Sequence, residues 1–153
     1  MQGINSIPIP TESDEQQALF RYCSVEMGRY PELEMLAHIP NEGKRSKATG
    51  GRLKKEGLRK GYPDIVLNVS SKDYHALFIE LKRRKGSKKT QEQKDWIRKL
   101  NEYGYAAVFC YGWEEAWEVI HAYLVSRFIT ASDHASKKIL KKYIYRSLEE
   151  AGK

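Results

Sequence analysis

The sequence predicts an α/β fold in which a mixed central sheet of about four strands is flanked by helices, followed by a C-terminal helical extension. Short apolar runs typical of strands alternate with longer segments whose apolar residues recur at helical spacing. A short polar connection, 70–75, joins two of the strand-like runs and predicts a hairpin. The order helix, strand, hairpin, helix, strand, helix implies a mixed sheet with helices on both faces.

The first helix and the first strand are bounded by residues that favour such ends. Thr11 is a typical N-cap residue for a helix from Glu12 to Met27, and Gly28 follows its last residue. Apolar residues then alternate between Leu33 and Ile39 and predict a strand. Pro40 ends that strand because proline cannot donate a backbone hydrogen bond.

The remaining elements are predicted by the same capping and spacing rules. They are a short helix near 46–56, strands over 64–69 and 76–82, a helix over 91–103 after Thr90, a strand over 105–111, a helix over 113–124 and a last helix capped by Ser132. In the helix over 91–103, the expected buried stripe consists of Trp96, Ile97, Leu100 and Tyr103, and Gly104 ends the helix.

Charge and cysteine content limit the class of protein. The chain has 27 Lys+Arg against 20 Asp+Glu, and its net charge of +7 favours a polyanionic partner. No apolar run approaches the ~20 residues that span a bilayer, and the start of the chain lacks signal-peptide features. Cys23 and Cys110 lie in apolar segments, which is typical of buried thiols in a reducing cytosol, and zinc-ligand spacing is absent. We therefore expect a cytoplasmic protein without a membrane partner.

Two predicted neighbouring strands carry a pattern that suits phosphodiester hydrolysis. Asp64 follows Pro63 at the start of one strand, and Glu80 and Lys82 share one face of the next, about 7 Å apart. Two opposite charges on a central strand are costly unless something pairs with them. A divalent metal held by Asp64 and Glu80 would pair with them, neutralise a phosphate and acidify water. The alternative is an edge strand whose charges are solvated.

The residues around this pattern resemble a nuclease family. Pro63-Asp64, Glu80-x-Lys82 and Gln93 are similar to the signature of the PD-(D/E)xK nuclease superfamily. Longer strings resemble its VRR-NUC branch, in particular stand-alone phage and bacterial members. These strings are Ile-Pro-Asn-Glu-Gly-Lys-Arg-Ser at 39–46, Gly-Leu-Arg-Lys-Gly-Tyr-Pro-Asp at 57–64, Gln91-x-Gln93-x-x-Trp96-Ile97 and Gly104-Tyr105-Ala106. The resemblance covers about 11–124.

This resemblance implies a restriction-endonuclease-like core and a metal site. Asp64, Glu80 and the backbone carbonyl of Leu81 would bind Mg²⁺ or Mn²⁺, which prefer oxygen ligands. Lys82 would orient or activate the attacking water and stabilise charge on the phosphorane. No small-molecule cofactor is expected, and the choice between one and two metal ions stays open.

Two further catalytic positions follow from the resemblance. The family has a glutamate near the start of its first helix, which matches Glu12, while Glu15 is a rival on the apolar side of the same helix. Either glutamate also suits a solvated first turn, where the helix dipole favours acids. Gln93 matches a polar family position that contacts the site, although a first-turn glutamine is often solvent-exposed.

Two basic stretches flank the expected metal site. Eight of the residues from Lys44 to Lys60 are Lys or Arg, and six of the eight residues from Lys82 to Lys89 are basic. Such runs are often solvated surfaces, but on both sides of a metal site they also suit a phosphate track. The candidate nucleic-acid-binding residues are Asn41, Lys44, Arg45, Arg52, Lys54, Lys55, Arg59, Lys60, Arg83, Arg84 and Lys85.

The expected function is a metal-dependent DNA endonuclease. The resemblance implies selectivity for branched DNA such as Holliday junctions, a role in phage or bacterial DNA replication, recombination or repair, and a symmetric homodimer. The alternative is a non-catalytic nucleic-acid-binding or accessory subunit that retains the fold. We expect an irregular lead-in over 1–10, the nuclease domain over 11–124 and a basic helical extension over 125–153, whose lysines at 137, 138, 141 and 142 oppose its apolar side.

Overall fold

The computed structural model describes residues 8–41, 47–128 and 131–152. Five α-helices and four strands lie within these ranges, and a 3₁₀ helix over Pro31–Met35 follows the first helix. In chain order the elements are α1 Glu12–Glu26, β1 Leu36–His38, α2 Lys47–Lys55, β2 Ile65–Leu67, β3 Leu77–Lys82, α3 Gln91–Glu102, β4 Ala106–Tyr111, α4 Trp113–Val125 and α5 Ala131–Glu150.

The four strands form one mixed sheet in the order β1-β2-β3-β4. The pairs β1–β2 and β2–β3 are antiparallel, whereas β4 runs parallel to β3. The predicted hairpin is therefore confirmed, and the helix α3 provides the crossover that a parallel pair needs. The expected α/β architecture, with its C-terminal helical extension, is also confirmed.

Alternate residues of β3 point into two separate cores. Leu77, Ile79 and Leu81 pack in a core with apolar residues of α1 and α4. Phe78 packs on the other face with Ile97 of α3. All six residues of β3 are buried. Since Glu80 and Lys82 have the same parity as Phe78, they occupy the face that α3 covers.

Thr11 and Thr90 are the N-caps of α1 and α3, as predicted, and each belongs to a capping box. Thr11 accepts a hydrogen bond from the amide of Asp14, and Thr90 accepts one from the amide of Gln93. In turn, the backbone amides of Thr11 and Thr90 donate hydrogen bonds to the side chains of Asp14 and Gln93, at 2.9 Å in both cases. Each box satisfies donors that a helix start would otherwise leave unpaired.

The outer edge of the sheet at β4 is closed by α5. The amide of Phe109 donates to Ser147 Oγ at 2.9 Å, and Arg146 Nη2 donates to the Phe109 carbonyl at 2.8 Å. Tyr143 and Ile144 of the same helix join the core on the α4 side. Because these contacts use the exposed backbone groups of an edge strand, they block pairing with another strand at Phe109.

Three predicted details are wrong. The strand expected from Leu33 to Ile39 is limited to β1, because Pro31 starts a 3₁₀ helix and the fixed φ of proline suits the first helical turn. Tyr103 is 75% exposed, since it lies at the C-cap of α3, beyond the buried stripe. Ser132 is not an N-cap, because α5 begins at Ala131.

The two cysteines, Cys23 and Cys110, are buried free thiols, as predicted. Burial raises the pKa of Cys23 to about 12 and raises that of Cys110 well above its usual value. In the parts of the chain that the structure describes, no helix combines the length and the apolar character needed to cross a bilayer.

Candidate active site

Asp64 and Glu80 lie opposite each other on neighbouring strands. In the antiparallel pair β2–β3, Ile65 pairs with Ile79, so extending this register by one residue brings Asp64 across from Glu80. The side chain of Asp64 crosses to the second strand, where its Oδ2 accepts a hydrogen bond of 3.0 Å from the amide of Leu81. The predicted proximity of these two carboxylates therefore follows from the hairpin register.

The carbonyl of Leu81 faces the same side as Asp64. The N–H and C=O groups of one strand residue point toward the same neighbouring strand, and the N–H of Leu81 is directed at Asp64. The carbonyl of Lys82 points the other way, since it accepts a 2.8 Å bond from Gly112 beyond β4. Two carboxylates and one carbonyl oxygen thus converge on one edge of β3.

Glu80 is buried in a hydrogen-bonded arrangement with two donors. Its Oε1 accepts bonds from Lys82 Nζ at 2.8 Å and from Gln93 Nε2 at 2.5 Å. The exposed fractions are 1% for Glu80, 3% for Lys82 and 3% for Gln93. The first turn of α3, to which Gln93 belongs, also presents the positive end of the helix dipole to this carboxylate. A solvated edge strand, the alternative from the sequence, is therefore wrong.

Lys82 is surrounded by acids. Burial by itself would lower the pKa of Lys82, but the charges of Glu80, Glu12 and Asp64 outweigh it, and the net effect is a raised pKa. Glu12 Oε1 lies 3.8 Å from Lys82 Nζ. One glutamate of the first helix therefore reaches the site, and the ammonium group lies among three carboxylates.

The oxygen-rich composition of this edge suits a hard divalent cation. Within residues 8–41, 47–128 and 131–152, no group of three or more His, Cys, Asp or Glu side chains is arranged to hold a metal by itself. A cation here would therefore use Asp64, Glu80 and a backbone carbonyl, with water or substrate completing its coordination. These donors fit Mg²⁺ or Mn²⁺ better than zinc, which prefers nitrogen and sulfur.

Comparison with known proteins identifies the family. Residues 12–114, more than half of the chain, match the VRR-NUC domain. This chain belongs to the VRR-NUC nuclease family. A solved structure described as a VRR_NUC domain protein is 26% identical in sequence, with a TM-score of 0.66 over 77% of this chain and 91% of its own. A comparison with curated proteins found no match.

In this VRR-NUC chain a buried glycine lets the loop before β2 pack closely against the start of α3. Gly61 has φ +73°, and a Cβ atom there would lie 2.7 Å from the amide nitrogen of Gln93 and 2.7 Å from Glu92 Cβ. Asn41 supports the same loop by donating a 2.9 Å bond to the carbonyl of Tyr62. The sequence reasoning missed Gly61, although a glycine shortly before a functional strand is a signal of close backbone approach.

Asn41 itself is buried beside the site. Among the residues that the structure describes, its Oδ1 has no hydrogen-bond partner, whereas its Nδ2 donates to the carbonyl of Tyr62. The backbone near it is connected to the start of β2, because the amide of Ile39 donates a 2.7 Å bond to the carbonyl of Asp64. An acceptor in this position suits a donor from bound water better than a phosphate oxygen.

Glu15, the rival of Glu12, has different partners. It is 1% exposed and accepts bonds from Arg84 Nε at 2.8 Å and from the amide of Trp113 at 2.9 Å. The Trp113 amide is the first donor of α4, which has no side-chain cap from Gly112. Glu15 thus ties α1 to the start of α4, and its hydrogen bonds raise the pKa of Arg84.

The basic candidates fall into three groups. Lys44 and Arg45 lie outside the described residues. Arg84 pairs with Glu15, and Lys60 pairs with Glu92 at 2.6 Å. Arg83 bonds the carbonyl of Gly86 within its own loop. The remaining candidates are exposed on or near α2 and after β3, namely Arg52, Lys54, Lys55, Arg59 and Lys85.

Proposed function

We propose that this VRR-NUC protein is an Mg²⁺- or Mn²⁺-dependent endodeoxyribonuclease that hydrolyses phosphodiester bonds. The observation that carries the proposal is the buried Lys82–Glu80 pair directly across the hairpin from Asp64. Removing two charges from water costs several kcal/mol per ion, and apolar residues would pack here at less cost. The charges are consistent with a chemical role rather than a structural one.

The cation would be held by Asp64, Glu80 and the carbonyl of Leu81. When bound, it would neutralise phosphate charge and lower the pKa of a ligated water. Asp64 and Glu80 are fixed beforehand by the Leu81 amide and by Gln93, so little reorganisation is needed at the moment of reaction. Water access is limited on the side of Glu80, which strengthens the electrostatic interactions of these charged groups.

Lys82 would act on the substrate through its ammonium protons. An ammonium group has three donors, and Glu80 takes one of them at 2.8 Å. Another can bond a non-bridging phosphate oxygen or the attacking water, which stabilises the charge that grows during displacement. Glu12, 3.8 Å away, is our choice over Glu15 as the first-helix acid, because Glu15 already serves Arg84 and the start of α4.

DNA would contact the exposed cations on both sides of this edge. The exposed candidates are Arg52, Lys54, Lys55, Arg59, Arg83 and Lys85. Lys60 and Arg84 form short ion pairs with acids at 2.6 and 2.8 Å, so we assign them weaker roles than Arg52, which lies 3.7 Å from the exposed Glu56. No base-reading motif accompanies these residues, and the contacts would be mainly to the phosphate backbone.

Selectivity for branched DNA and a symmetric homodimer complete the proposal. Both are implied by the resemblance of the sequence motifs to stand-alone VRR-NUC proteins. A dimer suits a small chain that makes paired cuts, since a two-fold axis presents two identical sites to a symmetric junction. Such a nuclease belongs in DNA replication, recombination or repair in a bacterial or phage-infected cytoplasm.

The decisive experiment is a cleavage panel of single strands, duplexes, flaps and four-way junctions, with Mg²⁺, with Mn²⁺ and with EDTA. We expect cutting only with a divalent ion and most rapidly on junctions. Asp64→Ala and Lys82→Met should each lose several kcal/mol of transition-state stabilisation, about a thousand-fold in rate. Binding of DNA in EDTA should persist in both variants.

Glu34→Ala is the matched control, because Glu34 is an exposed carboxylate on the 3₁₀ helix away from β3. It should cut at the wild-type rate. Full cleavage by Asp64→Ala protein would refute the proposed metal site. Binding without cutting on every substrate would identify the non-catalytic alternative instead.

A further inference from the structure

The C-terminal helix α5 carries a surface that the nuclease site does not use. Between His134 and Leu148 the sequence has five basic residues and no acidic one. Arg146 is directed inward, to the carbonyl of Phe109 and to Glu115. The four lysines at 137, 138, 141 and 142 lie together on one side of the helix with His134 and Tyr145, beyond the residues matched to the VRR-NUC domain.

Three of these lysines lack a compensating acid. Lys137 pairs with Asp73 at 3.1 Å. Lys138, Lys141 and Lys142 are exposed, and among the described residues none of the three has a carboxylate oxygen within 4 Å. Like charges three and four residues apart destabilise a helix by about 0.2–0.5 kcal/mol per pair. A stripe that repels itself in this way is stabilised by binding a polyanion.

The stripe lines an open depression on one side of α5. The depression has a volume of about 580 Å³, and its described lining consists of His134, the four lysines and Tyr145. Tyr145 is 59% exposed, so its ring is accessible beside the lysines. Basic residues beside an exposed aromatic ring form a surface suited to the sugar-phosphate backbone, with the ring available for apolar contact.

The end of α5 is anchored beside the proposed active site. Glu150 Oε2 accepts a 2.6 Å bond from Tyr111 and lies 3.0 Å from Lys89 Nζ. Tyr111 is the β4 neighbour of Lys82 in the parallel register. At 1.5 Å per residue, Lys138 and Lys142 lie about 12–18 Å along the helix from this anchor. One turn of duplex DNA is about 34 Å, so a duplex at β3 can reach the stripe.

We propose that Lys138, Lys141 and Lys142 form a second phosphate-binding surface, which holds a duplex arm of the DNA whose backbone is cut at β3. This inference rests on the proposed function and adds to it a role for the C-terminal extension. The arm is bound through charge and shape, because lysine contacts to phosphate do not depend on sequence.

The test compares two triple variants that remove the same charge. Lys138→Ala/Lys141→Ala/Lys142→Ala removes the stripe, whereas Lys72→Ala/Lys99→Ala/Arg29→Ala removes three exposed cations elsewhere. Binding is measured in EDTA to a 30-base-pair duplex over a range of salt concentrations. The stripe variant should bind this duplex at least tenfold more weakly than the wild type, with a salt slope lower by about 2–3. The control variant should be little affected.

Equal affinities and equal salt slopes for the two triple variants would overturn the inference. So would a stripe variant that changes the oligomeric state by light scattering while binding DNA normally, since the occupant would then be a second copy. These results leave the proposed function intact as long as the wild-type protein cuts DNA with Mg²⁺. A wild-type protein that neither binds nor cuts any DNA would refute both.

Discussion

Replacing Gly61 with alanine tests whether the close approach of this loop to α3 organises the site. A residue with φ near +73° costs about 1–2 kcal/mol when it carries a Cβ atom. The new methyl group would also lie 2.7 Å from a backbone nitrogen of α3, which cannot rotate away. Overpacking of this kind adds about 1–3 kcal/mol. Gly61→Ala should therefore lose about 2–5 kcal/mol, a large part of the stability of an ordinary domain.

Gly57→Ala is the control, since Gly57 also has a positive φ, +101°, but no atom lies within 4 Å of its Cβ position. Urea and thermal unfolding of the two variants separate the backbone cost from the packing cost. An excess of about 2 kcal/mol for Gly61→Ala corresponds to a melting temperature about 4–8 °C below that of Gly57→Ala. Movement of Gln93 should also slow DNA cleavage in the folded Gly61→Ala protein. Equal melting temperatures would refute the reasoning.

Two further predictions concern the first helix. Glu15→Ala should lower the free energy of unfolding by about 3 kcal/mol, because the Trp113 amide and Arg84 lose a charged partner. Glu12→Ala, at a partly exposed position, should lower it by less than about 1 kcal/mol but should slow DNA cleavage. The reverse pattern in urea unfolding and cleavage assays would exchange the roles of the two glutamates. Cys23 should make the folded protein less stable in alkali. The pKa of its thiol is about 12 in the folded chain, whereas the thiol of the unfolded chain ionises near 9.0. The free energy of unfolding therefore falls as the pH rises between these values, by at most about 1.4 kcal/mol per pH unit. The urea midpoint should consequently drop more from pH 9 to pH 11 in the wild type than in Cys23→Ala, and parallel slopes would exclude this thiol.

Local patterns predicted most of the fold because each was decided by neighbouring residues. The N-caps at Thr11 and Thr90 formed as expected. Each is completed by a residue only three positions further on. The hairpin required a short polar connection between two apolar runs, and its register then determined that Asp64 faces Glu80. The prediction of the first strand was partly wrong because alternation over the seven residues from Leu33 to Ile39 does not exclude a helical turn, and Pro31 favoured one.

The partners of long polar side chains could not be predicted in the same way. Glu12 and Glu15 are three residues apart, and both suit a first turn, so helix rules do not distinguish them. What distinguishes the two glutamates is that Glu15 binds Arg84 and the amide of Trp113, which are 69 and 98 positions away in the chain. The burial of Gln93 likewise depends on the carboxylate of Glu80 across the packed face between α3 and β3.

The buried charges at the end of β3 make stability and chemistry compete at the same positions. Glu80 and Lys82 are less than 4% exposed, and a buried ion pair generally contributes less than the apolar residues that could replace it. Gln93 and the start of α3 reduce the cost of Glu80 by supplying a donor and a favourable dipole. Gly61 is the residue that allows this helix start to approach the Asp64 strand. The fold therefore assembles β2, β3 and α3 around buried charged groups, for which the proposed cation and its phosphate would supply further compensation.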